Sequence, residues 1–575
     1  MDQIDAVQEP ELLHRKRIRR VALACIPCRS RKVKCDATQP ACHRCRSDEK
    51  ICEYQKSRRG GRPRKQKLIS SNLITGQHPR LEDSPQWIGT TINSRNGSVT
   101  HSPDGTTDSQ DLTSQSEQLG SQLTKSQTDH LLTQYYTYFH NAHSCVLPRW
   151  SLEAHTSIEP AVSEYLIPVL LYIGSIFVHC VDSKPLAEAA ARAIEAGRGH
   201  QGLPSPYFAQ ALMLYSIPVY WSNETLKGRK LLDEAIHTAF ALGMHRKGFA
   251  AQYGLGDPVL EESWRRTWWQ MHITDVHVSG SMHTFEGLSS KYPITTELPC
   301  EESQYESGDI PTPNSLQQYE NREFSDLEFS SFAQLIGFTQ GITRVLLNAS
   351  LDDIGGAQTL CANADTMMTA WCSLLPPSKK SLLGENGSVD EVLFKAMIVM
   401  QTCVVELHRR LSSLLYSPIE SASSCAPPPP PSANDTIKEE AHIHTAKILC
   451  ATEKLNTLLT LPTRFATHTP FNICMIANMT IAQLSACRYI FQEPRLSAER
   501  EKIRLNMGVL KMLGEFWPAG KREYKAVGII ARTILGLREE EVRVPPDVEE
   551  AVMIKQHPLK TTHTPLISPP QPILH

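Results

Sequence analysis

The stretch 24–54, ACIPCRSRKVKCDATQPACHRCRSDEKICEY, carries six cysteines at positions 25, 28, 35, 42, 45 and 52. The spacing C-x2-C-x6-C occurs twice, with six residues between the copies. Thiolates at this density, with no secretory signal ahead of them, point to zinc rather than to a disulfide knot or a redox site. Zinc takes four ligands in a tetrahedron, so one ion would leave two cysteines idle. Two ions need eight ligand positions, and six thiolates fill them when two of the six bridge. Cys25 and Cys42, the first cysteine of each copy, are the natural bridges. Cys28 and Cys35 then complete one ion, and Cys45 and Cys52 the other.

The charges divide the two copies. Between Cys28 and Cys35 lie Arg29, Arg31, Lys32 and Lys34, with no acid. Between Cys45 and Cys52, Arg46 and Lys50 are offset by Asp48 and Glu49. The first copy is therefore expected to face DNA and the second to be mainly structural. Pro27 suits the first turn of a short helix. Such a helix presents Arg31 and Lys32 together, the kind of paired donors that read guanine in the major groove. Arg29, Lys34, Arg44 and Arg46 are expected on phosphates, which position without specifying.

The motif resembles the fungal zinc binuclear cluster of transcription factors. The likeness covers all six cysteines, the basic run RSRKVK and Pro40 in the joining loop. It implies two Zn2+ ions, double-stranded DNA as a partner and a nuclear regulator of RNA polymerase II genes, such as a pathway or secondary-metabolite gene cluster. It also implies a CGG-like triplet read by Lys32, with Arg31 assisting.

Outward from the cluster, residues 14–67 hold 19 Lys+Arg against 4 Asp+Glu, although the whole chain of 575 residues carries a net charge of only −2. With two zinc ions and six thiolates counted, the block keeps about +13, an electrostatic footprint for nucleic acid. Residues 1–20 are expected to be a basic disordered arm ending in HRKRIRR, an import signal or a phosphate contact. The cluster domain spans 21–55. Residues 56–67 form a second basic arm, in which Gly61-Arg62-Pro63-Arg64 resembles an AT-hook that lays Arg62, Pro63 and Arg64 in the minor groove. A second glycine stands where the usual core has its first arginine. Past the arm, Leu68, Ile69, Leu73 and Ile74 make no heptads, so nothing adjacent supports a coiled-coil dimer and the oligomeric state stays open. Residues 68–125 are expected to be a polar, disordered linker.

From 126 to 540 the pattern is helical, giving the fold class: a small zinc-stapled N-terminal module plus a large all-α regulatory domain, with disordered linkers. Helices are expected near 161–182, 206–220 and 226–245, the last stopped at Gly243. Others are expected near 329–350, 356–376, 389–416, 435–460, 470–491, 497–516 and 519–538. Residues 297–328 read as an acidic surface loop. A proline-rich insertion, about 421–435, reads as an exposed spacer, because the run Pro427–Pro431 cannot be helical. The tail 541–575 reads as disordered.

Trp264 and Trp268 share a helix face and are expected in the core, with Arg265, Arg266 and Asp275 in ion pairs. Leu242 to Arg246, then Glu262, Arg265, Arg266, Trp268, Trp269 and Asp275, resemble the fungal-specific transcription factor domain. That likeness implies a regulatory body that meets the transcription machinery, co-regulators or a small-molecule effector.

The ten cysteines outside the cluster show no pairing pattern and read as reduced. Histidines 442 and 444 look isolated from other ligands. No stretch reads as a membrane span. No P-loop, HExxH or GxSxG appears, so an enzyme is not expected. The competing reading is a zinc interaction module or metabolite-binding protein without specific DNA reading.

Overall fold

A computed structural model describes residues 25–31, 33, 35, 36, 38, 42–48 and 52, then 123–536 apart from 200–201, 285, 349–353, 385–386 and 429–439. The arms 1–20 and 56–67, the linker up to residue 122 and the tail 541–575 lie outside the described residues. So do Lys32, Lys34, the Arg29 side chain, Arg62, Pro63 and Arg64. The chain divides into two compact units, residues 1–105 and 106–575.

In the first unit, two five-residue helices, Ile26–Ser30 and His43–Ser47, pack together. Pro27 sits in the first turn of one, where a missing N–H costs nothing. Cys42 caps the other, its sulfur accepting from the Cys45 N–H at 3.3 Å. The buried interior here is Cys25, Cys28, Cys42 and Cys45, with Val33, Cys35 and Cys52 packed against them.

The second unit is built of helices around one apolar core. Among the described residues there is no strand, only an antiparallel bridge between Leu383 and Val389. Its central helix, Pro206–Trp221, is buried at every position from Tyr207 onward. Thr225–Leu242 packs closely on it. The approach is close because of Gly228: a methyl group there would lie 2.6 Å from the Tyr220 Cα. Gly243, at φ 80°, ends that helix in the left-handed conformation glycine adopts freely. Pro258–Ser281 carries Trp264, Trp268 and Trp269, all fully buried. The later helices are Ser331–Leu347, Ile354–Ser373, Glu391–Arg409, Ala441–Leu458, Asn472–Tyr489, Arg495–Leu513 and Pro518–Ile534. Among the described residues no helix is long and apolar enough to cross a membrane.

Three expectations need correction. Residues 297–328 are not simply a surface loop. They hold the short helices Glu302–Ser307 and Leu316–Glu320, with Tyr305 and Tyr319 buried. The insertion about 421–435 begins as packed chain: Ala422, Ser423, Cys425 and Ala426 are buried, and Ser423 and Ser424 both donate to Glu523 at 2.6 Å. Residues 429–435 of it lie outside the described residues. Cys425 is disulfide-bonded to Cys474, so these two are not reduced thiols. The expected ion pairs are present: Asp275 pairs with Arg229 at 2.6 Å, and Arg265 and Arg266 pair with Glu262 at 2.9 Å.

Candidate metal centre and DNA-binding face

The six cysteines converge. Cys25 Sγ lies 3.7 Å from Cys42 Sγ, 3.6 Å from Cys45 Sγ and 3.7 Å from Cys35 Sγ. Cys28 Sγ lies 3.7 Å from Cys42 Sγ. The Cys42 N–H donates to Cys52 Sγ at 3.3 Å. Two sets of four sulfurs can each surround an ion: Cys25, Cys28, Cys35 and Cys42, and Cys25, Cys42, Cys45 and Cys52, with sulfurs no more than 4.8 Å apart within a set. Cys25 and Cys42 belong to both. The donor chemistry fits two tetrahedral zinc ions sharing two thiolates.

The surroundings hold the second copy in shape. The Asp36 carboxylate accepts from the His43 N–H at 3.1 Å, at the start of the His43–Ser47 helix. The Thr38 hydroxyl, ahead of that N–H, holds the Asp36 carboxyl below its usual range. Arg44 and Arg46 are exposed on this helix. Arg31 is not free on the surface: its guanidinium reaches Asp48 at 2.7 Å and the Pro27 carbonyl at 3.1 Å. The two copies are thus tied by an ion pair as well as by sulfur, and Asp48 has a role beyond cancelling charge.

In the body, the motif residues form a buried electrostatic knot. Arg266, fully buried, donates to Glu262 at 2.9 Å, Glu302 at 2.6 Å, Ser144 Oγ at 2.8 Å and the Cys300 carbonyl at 2.9 Å. Its guanidinium lies over the Tyr305 ring at 4.1 Å. Burial works against the charge, but Glu302 and Glu262 outweigh it and raise the Arg266 pKa. Glu262 also accepts from Arg265 at 2.9 Å. The motif is therefore a core fastener, and Glu302 is a partner the sequence pattern did not reveal.

A cavity of about 90 Å³ lies between helices, lined by His277, Ile342, Val399, Glu406, Phe471 and Met475 among others. Burial pushes the Glu406 carboxyl up to about 7, although Asn478 donates to it at 2.9 Å.

Residues 23–61 match the fungal Zn(2)-Cys(6) binuclear cluster domain, and residues 120–360 the fungal specific transcription factor domain. The chain is 28% identical to the C6 finger domain transcription factor iacK of Pestalotiopsis fici, over 89% of this chain and 80% of that protein. It is 43% identical to the transcriptional regulator alnR of Emericella nidulans over 9% of this chain and 13% of that one. No solved structure matches it. The chain thus carries a fungal Zn(2)-Cys(6) binuclear cluster domain followed by a fungal specific transcription factor domain. It is a DNA-binding regulator that carries two zinc ions, and not an enzyme.

Proposed function

We propose that the zinc module reads a CGG-like triplet in the major groove, with Lys32 as the main base contact and Arg31 assisting. Cys25 and Cys42 bridge the zinc ions; Cys28 and Cys35 complete one, Cys45 and Cys52 the other. Zinc supplies the fold here, since so short a segment buries too little apolar surface to hold itself. Arg29, Lys34, Arg44 and Arg46 meet phosphates, and Arg62, Pro63 and Arg64 lie along an adjacent minor groove. The domain limits follow the charge pattern: module 21–55, arms 1–20 and 56–67, linker 68–125, regulatory body 126–540. The protein acts in the nucleus on RNA polymerase II genes of one pathway or metabolite cluster. The body meets co-regulators or the transcription machinery, or takes a small-molecule effector.

The observation that carries the reading is the acid-free run 29–34, set between two cysteines of one sulfur cluster. The test is in vitro site selection with full-length protein at fixed salt, with and without a zinc chelator. CGG-like triplets should be enriched and vanish on chelation, and Lys32→Ala should lose the triplet at a cost of about 1–3 kcal/mol. Random sites selected by zinc-loaded protein would overturn the reading and favour an interaction module.

A further inference from the structure

The body holds a second convergence of metal-binding side chains, far in sequence from the cysteine cluster. Cys361 on Ile354–Ser373, His408 on Glu391–Arg409 and His444 on Ala441–Leu458 are all buried. One ligand atom from each lies within 4.8 Å of the others. In the sequence His444 has no other histidine or cysteine ligand nearby except His442. Its partners stand 36 and 83 positions away in the chain, and three separate helices bring them together.

The protonation pattern suits an ion. His408 Nε2 faces Asp365 Oδ1 at 3.1 Å. A carboxylate only accepts, so this nitrogen carries the proton and Nδ1 of the neutral ring presents its lone pair. That Nδ1 points at His444 Nδ1, 2.7 Å away. Asp365 is itself anchored by an ion pair with Lys447. A carboxylate that orients an imidazole so that its other nitrogen meets a ligand set is the usual outer support of a histidine metal ligand. Cys361 and Asp365 stand four apart on one helix, so ligand and support share a face. His444 and Lys447 repeat this at three apart on another. The Cys361 thiol now donates to the Leu407 carbonyl at 3.3 Å, and it would give up that proton to solvent on binding a cation.

We propose that Cys361, His408 and His444 form a third, mononuclear zinc site that pins three helices of the regulatory body. One thiolate and two imidazoles are a donor set that zinc accepts with a fourth position left to water. Without an ion the alternative is a plain N–H···N bond between the two rings.

Metal content of gel-filtered full-length protein separates the two. The site adds one to the cluster's two ions, so about three zinc ions per chain are expected. His444→Ala and Cys361→Ser should each give about two while specific DNA binding persists. His444→Cys, which restores a ligand, should return the third. The wild-type count stands whatever the folding of any variant. Two zinc ions in the wild type, a third lost on gel filtration alone, or a third that survives both His444→Ala and Cys361→Ser would each overturn the site.

Discussion

The zinc module and the helical body hold their polar interiors in opposite ways. In the module the buried groups are sulfurs, and a metal unites them; the apolar part of the described core is little more than Val33. In the body a broad apolar core comes first, and buried charges are held by partners that meet them, as around Arg266. The module should therefore fail all at once, by loss of its ligands. The body should weaken step by step, according to how tightly each lesion is packed.

The largest effect tests the first half of this contrast. Cys25→Ser removes a sulfur common to both ligand sets, so the module should unfold, a change on the order of 10 kcal/mol. Specific DNA binding should vanish in a gel-shift titration while the body's thermal transition stays where it was. A lowered body transition would break the comparison.

Arg266→Ala tests the second half. It leaves Glu302 without its buried cation and Glu262 with Arg265 alone, and about 3–5 kcal/mol of body stability should go. Denaturant titration should show it, with DNA affinity of the folded fraction unchanged. Next comes Gly228→Ala, which forces a methyl group to within 2.6 Å of the Tyr220 backbone. The helices must part, at about 1–3 kcal/mol.

The last test sharpens the comparison by pH. The Glu406 carboxyl is raised by burial to about 7 in the folded chain, above its ordinary 4.5. The folded state therefore holds the proton more tightly than the unfolded state does. The stability this contributes is fully present below 4.5 and is lost as pH rises through 7. His283 Nδ1 stands 3.9 Å from this carboxyl. Relative to wild type, Glu406→Gln should gain stability from about pH 5 to 7.5 and then level off. The slope should be at most about 1.4 kcal/mol per pH unit. A flat difference curve would show that the carboxyl ionises freely.

Much of this was legible because it is local. Cysteine spacing survives in the sequence, as does the stop at Gly243, and helical periodicity placed Pro206–Trp221 and Pro518–Ile534 within a few residues of the expected spans. What was illegible is long-range. Glu302 gave no sign that it would cross to Arg266, because an acid in a turn-rich acidic stretch reads as solvated. Cys425 and Cys474 pair across 49 positions, and no spacing rule reaches that far. His408, His444 and Cys361 stand on separate helices, whose relative faces depend on packing that periodicity alone does not set. Asp48 read as charge balance because its partner, Arg31, lies in the other copy.

The Arg31–Asp48 pair bears on how the protein searches a genome. Salt dependence on random DNA counts the cations that displace counterions from phosphates. A guanidinium held by a carboxylate of its own chain is drawn from that count only by the modest strength of a partly exposed pair. Under the proposed reading mode, only a base edge with two well-placed acceptors draws Arg31 away from Asp48. Under that reading the pair would favour the right site over a wrong one, by at most the strength of the pair itself.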